Sequence, residues 1–459
     1  MSTSDIPLVI DNGSYKIKFG FASERNTPNI VNNCIIKTKS SFGDRYCIGN
    51  QLEDPTILTS TTNAYIKRPK EFGNLTSWET QSELWDYCFY NPSEFNFDLN
   101  EHFSMLNNDD IKTPHLILSE SIFHIPELSK NTDEAVFEEY AFTSLFKAPA
   151  GAFVPFNKKG IDKSQIYLDS DDNIINSFNP NENSGATYNK FQLIIDSGFD
   201  CTWVIPVING TIFYEAVQKC NFGGKFFTGY LKELISYNHI DLSQETLIVN
   251  KIKEKCLYMA PDSFNKTLLN NNKDKVIKEY VLPSDEPFLG SHSIDKEIDS
   301  NLGYLLKKDE NPARNRATLK LSDELFTVPE SLIFPEKVKF DSSLTMTSHG
   351  LIEIILKSLA LCPELIRPLL VSNIVLIGGN FNIPNIKERI LKELQLNAPT
   401  EWTVRVSCDV GRSDLFAFDS MCAFSETEEY KKTRITREEY FEHGLEWTTK
   451  NRFGFQAYT

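Results

Sequence analysis

Paired cysteines are missing from this chain. Its nine cysteines are odd in number, lie far apart and include no C-x-x-C pair. Disulfide frameworks and structural zinc sites depend on closely spaced cysteines, so the spacing predicts neither. We expect most of these cysteines to be small core residues of a protein in a reducing compartment.

Long apolar runs are missing as well. No run approaches the roughly 18 apolar residues that span a bilayer, and segment 1–6 lacks the basic and apolar regions of a secretory signal. We therefore expect a location in the nucleus or the cytosol and no contact with a membrane.

Basic residues are scarce relative to acidic ones. The 47 Lys and Arg stand against 63 Asp and Glu, which gives a formal net charge of −16. A field of that sign repels nucleic acid and anionic membranes, so any direct contact with DNA requires a local patch or a partner. With 459 residues the chain also exceeds the roughly 250–300 at which single cores divide, which predicts two lobes.

Three short apolar runs each end on a glycine-bearing turn, at 7–14, 191–198 and 373–379, and the first two turns carry an aspartate beside Ser and Gly. Such an aspartate can position a metal ion, and the small residues let backbone N–H groups approach phosphate oxygens. One such turn is typical of an ordinary loop. Three in order predict two similar half-domains that grip one phosphate chain.

Strands and helices alternate along the chain, with two polar interruptions. Segment 157–188 is rich in Asp, Asn, Ser and Lys and is interpreted as an inserted loop. Segment 262–320 has a similar composition, and only islands such as 280–283 are expected to be ordered. Both segments are candidate partner-binding regions, and loose surface loops are the equally weighted alternative.

Helices are indicated by apolar residues at helical spacing. The first helix is expected to begin after Ser243, with Lys253, Glu254 and Lys255 off its apolar stripe. The second is expected to have Pro384 in its first turn. The apolar stripes are Val249, Ile252, Cys256 and Met259 in the first helix and Ile386, Ile390 and Leu394 in the second.

Five motifs together resemble the actin family: DNGSYKIKFG at 11–20, DSGFDCTW at 196–203, ETLIVNKIKEKCLY at 245–258, the Gly-Gly segment 373–384 and ITREEYFEHG at 435–444. They cover nearly the whole chain apart from the two insertions. The resemblance implies an α/β, actin-like fold, in which two similar lobes, each with a ribonuclease H-like core, surround a central nucleotide-type cleft.

The resemblance also implies a division of the chain into segments. The first-lobe core is expected at 1–32, 73–156 and 415–459, with a shortened second subdomain at 33–72 and the polar insertion at 157–188. The second-lobe core is expected at 189–223 and 345–414, and a fourth subdomain at 224–344 contains the polar insertion at about 262–320.

Eleven residues match family positions around the nucleotide. The turns require the glycines whether or not a ligand is present, so structural retention and nucleotide binding both stay open. We expect no catalytic residue and no metal ligand among them. The cleft residues are Asp11, Gly13, Ser14, Lys18, Asp196, Ser197, Gly198, Lys253, Glu254, Gly378 and Gly379.

Departures from the family pattern fall on the chemistry of hydrolysis. The family's water-holding Gln corresponds to Ala150, which follows Pro149, a residue expected to interrupt the helix. The family's His corresponds to Trp203. Neither replacement can orient a water or accept its proton, so we expect a protein that is not an enzyme.

Two further departures bear on nucleotide binding. In the second phosphate loop Phe199 is expected to place a ring near the phosphates, and Asp200 is expected to face like charge at a cost of order kilocalories if desolvated. On the adenosine side, Phe418 and Asp419 are expected to fill room that a base needs. Nucleotide binding is therefore expected to be weak or absent, with a retained structural ATP as the alternative.

The connection between Cys34 and Tyr46 is too short to hold the loop by which actins grip the next subunit of a filament. We therefore expect no actin-like homopolymer. The surfaces that would form filament contacts are then free for other partners.

Within the actin family the chain is similar to the nuclear actin-related protein 6 subfamily. The resemblance implies a scaffold subunit, found in the nucleus and also the cytoplasm, of the chromatin remodelling complex that exchanges the core histone two-A for its variant. It implies a small zinc-containing partner and contact with the nucleosome through the complex. The motifs that carry it lie at 84–88, 137–140, 144–149, 196–206, 373–384 and 451–455.

Two other functions remain as alternatives. An active ATPase of the wider actin, sugar-kinase and chaperone superfamily would bind nucleotide tightly and lose activity on Asp11→Ala. A cytoskeletal filament subunit would form polymer that sediments, against which the short connection after Cys34 argues.

Overall fold

The computed structural model has an α/β architecture with two large sheets. None of the helices in the described ranges combines the length and the apolar character that a bilayer crossing requires. The structure describes residues 6–22, 27–40, 43–54, 65–99, 114–157, 167–168, 174–175, 189–261, 264–271, 276–283, 303–307, 316–337 and 349–450.

The strands are numbered in chain order: β1 (Leu8–Asn12), β2 (Lys16–Phe21), β3 (Asn29–Asn32), β4 (Ile35–Ser40), β5 (Gly43–Ile48), β6 (Tyr65–Lys67), β7 (Lys70–Glu71), β8 (Asn74–Leu75), β9 (His115–Glu120), β10 (Ser144–Pro149), β11 (Tyr167–Leu168), β12 (Ile174–Ile175), β13 (Phe191–Ser197), β14 (Thr202–Ile208), β15 (Thr211–Ile212), β16 (Gln218–Cys220), β17 (Lys278–Val281), β18 (Tyr304–Leu305), β19 (Thr318–Leu321), β20 (Ile374–Ile377), β21 (Val406–Cys408) and β22 (Ile435–Thr436).

The α-helices are α1 (Trp78–Phe89), α2 (Pro92–Phe95), α3 (Pro126–Glu134), α4 (Ala150–Phe153), α5 (Gly224–Asn238), α6 (Thr246–Cys256), α7 (Phe264–Asn271), α8 (Glu324–Glu330), α9 (Leu351–Leu361), α10 (Arg367–Val371), α11 (Ile386–Asn397), α12 (Phe416–Ser425), α13 (Glu428–Thr433) and α14 (Arg437–Lys450).

The two large sheets share one strand order. The first runs β22-β10-β9-β1-β2-β3 and the second runs β15-β14-β13-β20-β21. In each, three consecutive antiparallel strands are followed by two parallel strands that add beside the first of the three. This repeated topology confirms the predicted pair of similar lobes.

Each lobe has its own apolar core. The first strands of the two sheets, β1 and β13, are almost continuous apolar runs and are buried along most of their length, as expected for central strands covered on both faces. The core of the first lobe contains Trp85 and Phe137, and the core of the second contains Phe227 and Ile355. The residue limits of the predicted segments stay predictions.

The predicted helices are present, with shifted ends. Helix α6 begins at Thr246, three residues beyond Ser243, and Met259 is buried beyond its last residue. Helix α11 begins after Asn385, whose left-handed backbone turns the chain, so Pro384 precedes the helix instead of entering its first turn. The predicted apolar stripes of both helices are buried.

The two polar insertions have different outcomes. In 157–188 only Asn157 and the paired strands β11 and β12 are described, so the prediction for the rest of that insertion lies outside the described residues. In 262–320 the described residues form separated pieces at 264–271, 276–283, 303–307 and 316–320, which include the predicted island 280–283, and the prediction for the rest lies outside the described residues. The described parts contain α7 and a sheet of order β18-β17-β19, and Tyr280 and Leu319 are buried in the second core. Its strands come from separated segments, a pairing that local composition does not reveal.

The segment after Cys34 folds into a tight hairpin. Strands β4 and β5 pair from Ile35 with Ile48 to Ser40 with Gly43, so only two residues connect them. Ile36 and Leu52 are buried in a small apolar core that is separate from the two large ones. The connection is therefore as short as predicted, whereas the absence of a homopolymer stays a prediction.

Candidate functional site

A cavity of about 430 Å³ lies between the two lobes. Ten of the eleven predicted cleft residues line it, from the ends of β1, β13 and β20 and the turns that follow them, from β2 and from α6. Ser197 does not line it, because its hydroxyl is bonded to Thr202 Oγ1 (2.7 Å) and accepts a hydrogen bond from Asn380 Nδ2 (3.0 Å). The structure thus brings together segments from most of the chain.

Asp11 is held by its own lobe. Its carboxylate pairs with Lys18 Nζ at 2.6 Å and accepts a hydrogen bond from Ser119 Oγ at 2.9 Å. Asp11 and Lys18 are cross-strand partners on β1 and β2, which fixes this pair. Burial disfavours the charged ammonium, but the charge and hydrogen bond of Asp11, together with the charges of Asp414 and Asp196, outweigh that effect and raise the pKa of Lys18.

Asp196 is the less favourably placed carboxylate. Enclosure in the cleft, strengthened by the negative charge of Asp11, raises its pKa to about 7, and Lys18 only partly opposes this shift. The residues that the structure describes include no group of three or more His, Cys, Asp or Glu side chains arranged to hold a metal ion.

Lys70 is a cleft residue that sequence reasoning missed. It lines the cavity, is 9% exposed, and its Nζ donates a hydrogen bond to the main-chain oxygen of Asn12. Burial lowers the pKa of Lys70, and the negative charges of Asp11, Asp200 and Glu120 oppose that shift. A lysine beside a short turn carries no sequence signal of burial, so only the fold reveals its place.

The Gly-Gly turn is tied to the second phosphate loop. Gly378 has φ +102°, and a Cβ there would lie 2.7 Å from the Ser197 carbonyl carbon and 3.0 Å from its nitrogen. Asn380 Nδ2 also donates to the Gly198 oxygen at 2.8 Å. These contacts require glycine at 378 for the packing of the turn itself, whether or not a ligand is bound.

The family's two hydrolytic positions carry no proton acceptor. Ala150 begins α4, while Pro149 ends β10 and precedes the helix, so the expectation that Pro149 interrupts a helix was wrong. Trp203 lies opposite Asp196 on β14, and its ring packs 5.5 Å from Phe123 between centroids. A methyl group and an indole, which only donates, cannot accept a proton from water.

The second phosphate loop reaches across the cleft. Phe199 lines the cavity, as predicted, and stacks on Tyr15 with centroids 5.0 Å apart. The expectation that Asp200 faces like charge was wrong. Its Oδ2 accepts a hydrogen bond from the main-chain nitrogen of Gly73 at 2.8 Å, and the Lys70 ammonium is close enough to interact with it.

Phe418 and Asp419 do not fill space for a base. Phe418 is buried in the first core on α12, 3.7 Å from where a Cβ on Gly20 would stand, and Asp419 Oδ2 lies 3.6 Å from Arg412 Nη2. The cavity is lined near this helix by Asp414 and Ala417. The prediction was wrong because neither side chain lines the cavity. The Phe418 ring packs in the first core, and the Asp419 carboxylate lies near Arg412.

Lys253 and Glu254 are satisfied by the protein. Lys253 Nζ donates to the Gly224 oxygen at 3.1 Å, and burial lowers the pKa of this lysine to about 8 despite the opposing charge of Glu254. Glu254 Oε1 accepts from Asn250 Nδ2 at 2.8 Å. Both side chains therefore have partners within their own lobe.

The actin-like fold implies a magnesium nucleotide, and the residues present do not fit one in the usual place. The turns at Gly13, Gly198 and Gly378 have the shape that phosphate binding needs. The aromatic side chains that follow the first two turns, Tyr15 and Phe199, both line the cavity and stack on each other, so that they join the two loops directly. No reaction step is therefore assigned to such a group.

Comparison with known proteins agrees with the fold. The actin family matches residues 3–453. The chain is 44% identical to the actin-like protein ARP6 of Saccharomyces cerevisiae over 98% of each chain. It is 41% identical to that of Kluyveromyces lactis over 99% of this chain and 100% of the relative, and 34% identical to that of Candida albicans over 98% of each. The chain therefore belongs to the actin family, as a relative of its ARP6 members.

Proposed function

We propose that this chain is a non-catalytic scaffold subunit of the chromatin remodelling complex that exchanges the core histone two-A for its variant in nucleosomes. In this role it supports transcription regulation from the nucleus, is also present in the cytoplasm, binds a small zinc-containing partner and reaches the nucleosome through the complex. The whole-length similarity to ARP6 proteins, together with the motif resemblance, supports this assignment.

The proposal that the protein is not a catalyst rests on the chemistry of two side chains that line the cavity. Ala150 and Trp203 occupy the positions where a hydrolytic actin holds water, and both line the cavity. Hydrolysis needs a group within hydrogen-bond reach of the attacking water that can orient it or take its proton. An alanine methyl and an indole ring supply neither function.

A second candidate, an active ATPase, has one specific observation in its favour. Asp11, Lys18 and Asp196 line the same cavity from both lobes. Each of them already has a role in the charge balance of the cleft, since Lys18 neutralises Asp11 at 2.6 Å and opposes the raised pKa of Asp196. Their presence is therefore compatible with a scaffold.

Phosphate release separates the two candidates. We expect purified protein with Mg-ATP to release phosphate no faster than a blank without protein, because no residue activates the water. Asp11→Ala protein, prepared in the same way, serves as the control for contaminating ATPases. Turnover that exceeds the blank and disappears in the Asp11→Ala protein would establish the ATPase instead.

The assignment to the complex is tested by purification of a tagged copy from nuclear extract. We expect the histone-exchange subunits to be recovered with it, including a helicase-like ATPase subunit and a small zinc-containing protein. Pelleting of the purified chain under actin-polymerising conditions, or recovery without chromatin subunits, would contradict the scaffold role.

A further inference from the structure

We propose that the chain fastens its own cleft with Tyr15, Arg68 and Phe199, in the place where a nucleotide would join the two lobes. These three residues are called the clasp below. The inference goes beyond the scaffold function, because a scaffold can either depend on a bound nucleotide or dispense with it.

Aromatic stacking forms the centre of the clasp. Tyr15 follows the first phosphate-type turn and Phe199 follows the second, and their rings are stacked at 5.0 Å with an interplanar angle of 25°. The Arg68 guanidinium carbon lies 5.0 Å from the Tyr15 centroid and 4.8 Å from the Phe199 centroid. One cation therefore contacts a ring from each lobe.

Hydrogen bonds fix both ends of the clasp. Arg68 Nη1 donates to the main-chain oxygens of Ser14 (3.4 Å) and Asn33 (3.3 Å). Asn250 Nδ2, from the second lobe, donates to Tyr15 Oη at 2.6 Å. Asn250 is itself 3% exposed and accepts from Thr228 Oγ1 at 3.0 Å, so its amide is held in position. Tyr15 thus contacts the second lobe through both its ring and its hydroxyl.

A second contact between the two lobes lies beside the clasp. The turn between β7 and β8 has positive φ at Phe72 (+51°) and Gly73 (+88°), and this conformation points the Gly73 N–H at Asp200 Oδ2, 2.8 Å away. The adjacent Lys70 ammonium lies close enough to interact with Asp11, Asp200 and Glu120. Positive charge is thereby supplied inside the cleft by the protein itself, where carboxylates alone would repel each other.

The consequence is a cleft that stays closed without a ligand. A triphosphate that entered beside the two turns would meet the stacked rings of Tyr15 and Phe199, which are held by Arg68 and Asn250. The protein is therefore expected to keep the same lobe arrangement whether or not Mg-ATP is added.

Hydrogen–deuterium exchange of the full-length protein tests the clasp. Two amides report on it: Gly73 N–H, bonded to Asp200, and Lys225 N–H, bonded to the Phe199 oxygen at 2.7 Å. We expect Tyr15→Ala to speed exchange at both sites by roughly five- to tenfold, because a ring pair and a cation contact are lost. Mg-ATP should leave exchange in the unsubstituted protein unchanged.

Two variants complete the design. Tyr237→Ala removes an aromatic ring that is 89% exposed and should leave both amides as they are. Phe199→Leu keeps an apolar side chain of similar bulk but removes the π-face, so a smaller acceleration is expected, and it serves if Tyr15→Ala does not fold. Protection of the two amides by Mg-ATP in the unsubstituted protein, or unchanged exchange in both clasp variants, would overturn the proposal. Neither result bears on recovery of the chromatin subunits, so the two proposals can fail separately.

Discussion

Gly378→Ala is expected to destabilise the protein by about 3–5 kcal/mol, because two costs combine at this position. The backbone has φ +102°, which side chains on an L-residue rarely tolerate. In addition, the new Cβ would meet the main chain of Ser197, with its carbonyl carbon at 2.7 Å and its nitrogen at 3.0 Å. Because the obstacle is backbone, it cannot rotate away.

The neighbouring glycine supplies a matched control. A Cβ at Gly379 would find Asp414 Cβ as its nearest neighbour, at 3.9 Å, which is ordinary van der Waals contact. Gly379→Ala is therefore expected to change the free energy of unfolding by less than about 1 kcal/mol. Urea denaturation followed by tryptophan fluorescence measures both. Equal losses for the two variants would show that close approach of the turn to the second phosphate loop is not what requires glycine at 378.

Asp196→Asn is expected to stabilise the protein at pH 8 by about 1–2 kcal/mol. The pKa of Asp196 is raised from 3.8 to about 7 by enclosure and by the charge of Asp11, so ionising it costs free energy in the folded state. A full shift of that size would be worth about 4 kcal/mol. Because Asp196 lines a cavity that water can enter, we expect less than half of that value.

The pH dependence follows from the direction of this shift. Between about pH 4 and pH 7 the folded state binds the Asp196 proton more tightly than the unfolded state does. This contribution therefore lowers the stability of the unsubstituted protein as the pH rises through that window, and it levels off above pH 7. The advantage of Asp196→Asn should accordingly shrink as the pH falls and vanish near pH 4.

Asp11→Asn is the matched control on the facing lobe. The same chemical change there should destabilise the protein by about 1–3 kcal/mol, because Lys18 loses its 2.6 Å partner while its ammonium remains enclosed. Unfolding free energies of both variants from pH 4 to pH 8 decide the matter. If the two substitutions have the same sign at pH 8, the charge balance described for the cleft is wrong.

Local sequence patterns were enough to predict much of the fold. The strands β1, β13 and β20 are short apolar runs bounded by glycine turns, and their burial follows from that pattern alone. The cleft residues at the ends of these strands were predicted to lie together for the same reason, because a turn that follows a buried strand has a fixed place in this topology. Helix stripes were equally readable, and their ends shifted by a few residues because capping depends on neighbours outside the helix.

Residue partners across the cleft were beyond sequence reasoning. Asp200 was expected to face like charge, but Gly73, which lies far away along the chain, donates to it. The sequence also contained no indication that Arg68 and Lys70 lie at the cleft, because the place of a cation depends on the segments that fold around it. Phe418 was misplaced for a related reason: an aligned position does not tell on which side of helix α12 a side chain points.

The central claim is that the protein closes its cleft with its own side chains and neither needs nor hydrolyses nucleotide. The most direct measurement is a structure determined from protein saturated with Mg²⁺ and a non-hydrolysable ATP analogue. We predict that Tyr15 and Phe199 stay stacked, with Arg68 over both rings and no triphosphate between the turns at Gly13 and Gly198. A triphosphate seated there with its metal ion, and the two rings displaced, would contradict the account.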